Sequence, residues 1–191
     1  DAKSSLLFTY HIPGTNRNCA LKYSVPIIYA LWEGFLKQAF ESYIRHINSL
    51  SLSYDEVHIN LLTHSIVAND KLDIRNPRLN YDKQKAFVEG LNNFKDNFHI
   101  SSKLPTNSNA DYKVLSDLLE RFNLSPISES PYKRKLNKLL RFRNAVAHGD
   151  NSIPVKKDDM ETFCSTVNDL MGEVFDRINE GYENETYKKL T

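Results

Sequence analysis

An arginine, an asparagine and a histidine lie close together near one predicted helix end: Arg143, Asn144 and His148. Arg143 and His148 are five residues apart, which at 100° per residue places them roughly 140° apart around a helix axis. Asn144 and His148 are four apart and share one stripe of that helix. Gly149 follows directly and is the residue type that most easily ends a helix. A guanidinium, an amide and an imidazole can therefore reach into one cleft.

These three groups together could cleave RNA without a metal ion. The 2′-OH would attack the adjacent phosphorus, the histidine would transfer protons, and the arginine would hold the negative oxygens. Such cleavage requires both an acid and a base, whereas each chain offers one histidine here, and a two-fold dimer would supply the second. The residues alone leave an alternative open, because a helix-terminal histidine and a structural arginine are common features.

A basic run leads into this group. Between Lys133 and Arg143 no acidic residue interrupts six positive charges, a pattern suited to binding phosphates. The candidate RNA-binding residues are Lys133, Arg134, Lys135, Lys138 and Arg141. The alternative is a solvated face whose long stems cover neighbouring apolar surface.

Glu33 is a further candidate on the first long helix, among apolar neighbours. It could be drawn inward as a supporting residue that pairs with Arg143 or hydrogen-bonds His148. The alternative is an exposed glutamate paired with Lys37 at a spacing of four residues.

Composition narrows the class of protein. The 191 residues carry a net charge of +1, so the whole molecule exerts no general attraction on nucleic acid or anionic lipid. Two cysteines favour a reducing cytoplasm over a disulfide framework. The longest apolar run, from Val25 to Trp32, is too short to span a membrane. His58 and His64 lack a zinc-ligand spacing. We therefore predict a cytoplasmic protein with no membrane partner, no metal and no cofactor.

Apolar spacing at i, i+3, i+4 and i+7 predicts an all-α fold, a bundle of about six helices with a central motif-bearing helix. We predict one domain over residues 1–191, with an irregular N-terminal segment over residues 1–22. Pro26 is expected in the first turn of the first helix, Ser53 and Glu56 as a capping box on the second, and Ser130 as the N-cap of the fifth. The predicted helices are Val25–Leu50, Ser53–Ala68, Asp82–Phe98, Ala110–Phe122, Pro131–His148 and Lys156–Asn179.

The segment from Arg143 to His148 resembles the R-x4-6-H motif of the HEPN superfamily (higher eukaryotes and prokaryotes nucleotide-binding). A polar residue directly after the arginine, here Asn144, is the form associated with its ribonucleases. The segment from Leu31 to Lys37 is similar to a branch of prokaryotic HEPN proteins found in toxin–antitoxin and phage-defence loci. The resemblance extends from about Ser24 to Asn179.

The resemblance implies a homodimer with a composite cleft that cleaves RNA without metal and leaves a cyclic phosphate. Arg143 and His148 would be catalytic, with Asn144 supporting them. RNA and a second copy of the chain would be partners, and an antitoxin or regulatory protein could be another. The alternative is a non-catalytic HEPN module for dimerisation or RNA binding, part of a larger protein. A structural bundle that binds a protein partner is a third reading.

Overall fold

We describe residues 15–68, 81–96, 98–105, 109–150 and 154–189 from a computed structural model of the chain. Within these ranges the secondary structure is helical, apart from an isolated antiparallel bridge between Val57 and Lys188. The all-α prediction is therefore confirmed. The helices are α1 (Thr15–Ser49), α2 (Ile59–Ala68), α3 (Tyr81–Asp96), α4 (Tyr112–Arg121), α5 (Glu129–Ala147) and α6 (Lys157–Glu183).

Helix α1 begins earlier than the sequence predicts. It starts at Thr15, so residues 15–22 are helical and the prediction of an irregular segment is wrong for them; residues 1–14 lie outside the described ranges. Pro26 consequently lies inside the helix and not in its first turn. Proline there donates no N–H to the helical ladder, but the helix continues to Ser49.

The capping box of Ser53 and Glu56 is present but opens a shorter element. The Glu56 carboxylate accepts hydrogen bonds from the Ser53 N–H (2.8 Å) and from the Ser53 hydroxyl (2.6 Å). Only a 3-10 turn, Tyr54–Glu56, follows this cap, and α2 starts at Ile59. The predicted helix start at Ser53 is therefore wrong.

The described chain divides into two compact units, each assembled from three segments. The first unit comprises Asp1–Gln38, Thr106–Ser116 and Ile127–Asp176, and the second comprises Ala39–Pro105, Asp117–Pro126 and Arg177–Thr191. The motif, the basic run and Glu33 all belong to the first unit. A single domain over the whole chain stays a prediction.

The core of the first unit is apolar and well filled. Trp32 is fully buried, and its indole N–H donates to the Ala110 carbonyl at 2.7 Å. The rings of Phe142 and Phe163 meet edge to face, with centroids 5.5 Å apart. Further buried side chains of this unit are Val25, Leu36, Leu115, Leu136, Leu139 and Leu170.

Three apolar residues that follow the helical spacing are exposed. Ile27, Leu31 and Phe175 keep 54%, 48% and 59% of their surface accessible. The buried face of α1 is centred on Ile28, Tyr29 and Trp32. Ile27 and Leu31 lie beside this face and are exposed to solvent.

The second unit has an aromatic core. Phe40, Tyr43 and Phe122 are fully buried, and burial raises the pKa of Tyr43 to about 12. A Cβ at Gly181 would overlap Leu124 Cδ2 and lie 2.7 Å from the Tyr43 hydroxyl, so any larger residue would require these side chains to shift.

Candidate active site

Helix α5 positions the motif by burying one side. Leu136, Leu139 and Phe142 are its buried residues. The N-cap of the helix is Ser128, which has an extended backbone conformation. It lies two residues before Ser130, the N-cap that the sequence predicts. The earlier start leaves the position of the motif at the other end of the helix unchanged.

The end of α5 is a well-formed glycine stop. His148 is the C-cap, one residue beyond the last helical residue, and Gly149 has a φ of 71°. The Gly149 N–H donates to the Val146 carbonyl (3.1 Å), and the Asp150 N–H donates to the Ala145 carbonyl (2.9 Å). This pair of bonds is a Schellman motif, which satisfies carbonyls that the helix end would otherwise leave open. The His148 side chain is consequently presented at an exposed turn.

Arg143 is held at two points. Its guanidinium carbon lies 4.7 Å from the centroid of the Tyr29 ring, over the ring face. Its Nη1 donates to Asn144 Oδ1 at 2.9 Å. Both Arg143 and Asn144 are half-buried. The structure therefore brings these two predicted site residues into direct contact.

Tyr29 fixes the other side of this stack. It is almost fully buried, and its hydroxyl accepts the Ala110 N–H at 2.6 Å. Burial raises the pKa of Tyr29, and the charge of Glu33 raises it further, whereas the Ala110 hydrogen bond and the Arg143 charge lower it. The phenol therefore stays neutral beside the guanidinium.

Glu33 does not pair as the inward prediction requires. It is half-buried, but within the described ranges no ion pair joins it to Arg143 and no hydrogen bond joins it to His148. Its charge instead acts on Tyr29, four residues earlier on α1.

The basic run separates into paired and unpaired residues. Lys133 is bonded to Glu129 at 2.6 Å, and Lys138 is bonded to Asp159 of α6 at 2.5 Å. Arg134, Lys135 and Arg141 are exposed and have no ion pair with any residue of the described chain. Lys138 and Arg141 also lie over the Phe142 ring, at 5.3 Å and 5.7 Å.

Arg143 and His148 differ in their exposure to solvent. Arg143 faces Tyr29 on the packed side, whereas His148 is exposed at the end of the helix. No hydrogen bond joins the two side chains in the part of the chain that is described. One chain therefore assembles the arginine and the asparagine, while its histidine faces outward.

Tyr29 contacts Arg143 but lies outside the motif. A tyrosine among apolar residues on a long helix is typical of core packing. The available signal was its spacing of four from Glu33 and three from Trp32, which places a polar tip near two other polar groups.

The described residues contain no cluster of His, Cys, Asp or Glu able to hold a metal ion. None of the helices within the described ranges combines the length and the apolarity needed to cross a membrane.

Comparison with known proteins identifies the family. A HEPN family model matches residues 6–187, which include α5, its glycine stop and the helices on either side. Comparisons with curated proteins and with solved structures find no match. Since the family model covers nearly all of the sequence, this all-α chain belongs to the HEPN family.

Proposed function

We propose that the protein is a metal-independent endoribonuclease of a prokaryotic toxin or anti-phage defence system, acting as a homodimer. The observation that carries the proposal is the preorganised end of α5. There Arg143 is held by Tyr29 and Asn144 beside a glycine-stopped turn that exposes His148. Membership of the HEPN family supports a nuclease or RNA-binding role in general terms.

In the proposed reaction the 2′-OH of one nucleotide loses its proton to a His148 imidazole and attacks the adjacent phosphorus. The phosphorus–O5′ bond breaks, giving a 2′,3′-cyclic phosphate on one product. The departing O5′ takes a proton from His148 of the partner subunit, acting as an imidazolium. Arg143 supports the charge that develops on the non-bridging oxygens, a role suited to a fixed guanidinium fork.

The proposed reaction needs one proton acceptor and one proton donor, so it requires a second copy of the chain. One exposed histidine cannot be base and acid in the same step, whereas a two-fold axis near the ends of two α5 helices would place two imidazoles on one phosphate. Cleavage per chain should therefore fall when the protein is diluted below the dissociation constant of its dimer.

The decisive experiment compares Arg143→Ala and His148→Ala with the parent on a mixed-sequence RNA. Each substitution should lower the single-turnover rate by at least about a hundredfold, as expected for loss of an acid–base group or of a transition-state donor. Arg45→Ala and His99→Ala are matched controls, because both residues are exposed and belong to the second unit. Parent-like cleavage by either motif variant would contradict the assignment.

A non-catalytic RNA-binding module is the second candidate. It is favoured by the lack of a hydrogen bond between Arg143 and His148 within the described part of one chain. A dimer that binds RNA and leaves it intact through long incubation would support this candidate over the first.

A further inference from the structure

Helix α1 lies against the motif through Tyr29. The guanidinium of Arg143 lies over the ring face at 4.7 Å, within the range of a cation–π interaction. Because Tyr29 is 1% exposed, that face is shielded from water, and the attraction is stronger than at a hydrated surface.

The ring itself is anchored at one peptide unit. The Ala110 N–H donates to the Tyr29 hydroxyl at 2.6 Å, and the Ala110 carbonyl accepts from the Trp32 indole at 2.7 Å. Tyr29 and Trp32 are three residues apart and therefore adjacent on α1. Both backbone groups of one buried residue thus hold two aromatic side chains, so the ring has little freedom to tilt.

The Tyr29 ring therefore covers one face of the Arg143 guanidinium, and Asn144 accepts one of its hydrogen bonds. Arginine carries five N–H donors, and here one nitrogen donates to Asn144 Oδ1. No other nitrogen of this guanidinium is hydrogen-bonded within the described chain, so its remaining donors are available for two parallel bonds to phosphate oxygens.

We propose that Tyr29 is a positioning residue for RNA cleavage, holding Arg143 so that the free edge of its guanidinium meets the scissile phosphate; this rests on the proposed ribonuclease function. Tyr29 touches no reacting atom in this scheme. It acts by removing the conformational freedom that Arg143 would otherwise lose on binding the transition state.

The test uses the full chain with monofluoro-, difluoro- and trifluorophenylalanine at position 29, compared with Tyr29→Phe. Fluorine withdraws electrons from the ring face and weakens cation–π attraction with little change in shape. Every variant in the series lacks the hydroxyl that bonds Ala110, so Tyr29→Phe, and not the parent, is the reference for the effect of fluorine. The matched series is placed at Tyr112, a buried tyrosine of the same unit whose hydroxyl also bonds backbone, at the Ile127 carbonyl, 2.6 Å away. No cation lies over the Tyr112 ring in the described structure.

We expect the single-turnover rate at saturating RNA to fall stepwise with fluorination at position 29, by about tenfold in all, and to stay constant in the Tyr112 series. The thermal stability of every variant is measured together with its cleavage rate. A purely structural role for Tyr29 would change the stability but leave the cleavage rate independent of the degree of fluorination. Rates independent of fluorination at position 29, or falling equally in both series, would overturn the inference.

Failure of the proposed function would be visible separately. If the parent cleaves no RNA, the same variants are assayed for binding to an RNA carrying 2′-O-methyl riboses, which cannot undergo 2′-OH attack. Affinity that falls with fluorination at position 29 alone then supports the positioning role, and affinity that does not change overturns it.

Discussion

Arg143 donates a hydrogen bond to the residue that follows it in sequence. Consecutive side chains on a helix point about 100° apart and ordinarily do not face each other. The contact therefore requires the Arg143 side chain to run along the helix surface instead of projecting from it. Tyr29 supplies the surface against which it lies, so the asparagine and the tyrosine act together on one guanidinium.

The neighbouring ion pair of Lys138 and Asp159 carries a pH prediction. Burial raises the pKa of Asp159, but the hydrogen bonds from Lys138 and the Lys156 N–H and the two lysine charges outweigh it, so the pKa is lowered overall. A depressed folded-state pKa adds stability that is present above the ordinary pKa of aspartate, roughly 4, and is lost as pH falls through the depressed value. Since Lys138 keeps 45% of its side chain exposed, we expect a contribution below about 1 kcal/mol.

Asp159→Asn should accordingly lower the free energy of unfolding at neutral pH, with the difference from the parent shrinking as the solution is acidified. Urea unfolding at a series of pH values measures this. Asp158→Asn is the control, since this exposed acid lies in the same first turn of α6 but forms no ion pair within the described ranges. Equal pH dependence in the two variants would contradict the assignment.

At the scale of elements, the glycine stop of α5 can be tested against a second glycine. Gly149 has a φ of 71°, whereas Gly172 lies inside α6, and an added Cβ would meet no heavy atom within 4 Å at either position. Gly149→Ala should cost about 1 kcal/mol through backbone strain, while Gly172→Ala should stabilise by about 0.5–1 kcal/mol through helix propensity. Shifts of the same sign in urea unfolding would show that strain at Gly149 is not the dominant effect.

Apolar spacing and the glycine stop predicted the helices and the end of α5, because both signals are local. The start of α1 was not predictable in the same way. Residues 13–18 read as a turn from their Pro-Gly and Asn-Arg-Asn strings, yet the helix runs from Thr15 through Pro26. Tertiary packing of its later turns stabilises a segment that local propensity disfavours.

The motif residues of the candidate site can be named from the sequence, whereas the contacts that depend on packing cannot. Arg143, Asn144 and His148 follow from one string of six residues. Tyr29 does not, because its relation to Arg143 and Ala110 is set by which face of α1 is buried. Ile27 and Leu31 also fit the apolar spacing of α1, but the buried face is rotated toward Tyr29 and leaves both exposed.

For the whole molecule, a net charge of +1 means that the proposed RNA binding must depend on local clusters of exposed cations. Arg134, Lys135 and Arg141 are exposed and form no ion pair in the described chain, whereas Lys133 and Lys138 are bonded to Glu129 and Asp159. Replacing Arg134, Lys135 or Arg141 singly by Gln should reduce the magnitude of the slope of log affinity against log salt by about 0.7 for single-stranded RNA.

Lys133→Gln and Lys138→Gln are the matched controls for that series. Each should change the slope less, because a lysine that must leave its carboxylate releases fewer counterions on binding phosphate. Filter binding or fluorescence anisotropy over a range of salt concentrations gives the slopes. Equal reductions for paired and unpaired residues would contradict the predicted division of the basic run.

The interleaving of the two compact units bears on how the protein is made. Each unit draws on segments from the first and last parts of the chain, and the bridge of Val57 to Lys188 joins residues separated by most of the described sequence. During translation neither unit can close while α6 is still inside the ribosome. The motif at the end of α5 therefore leaves the ribosome before α6, the helix that contributes residues to both units.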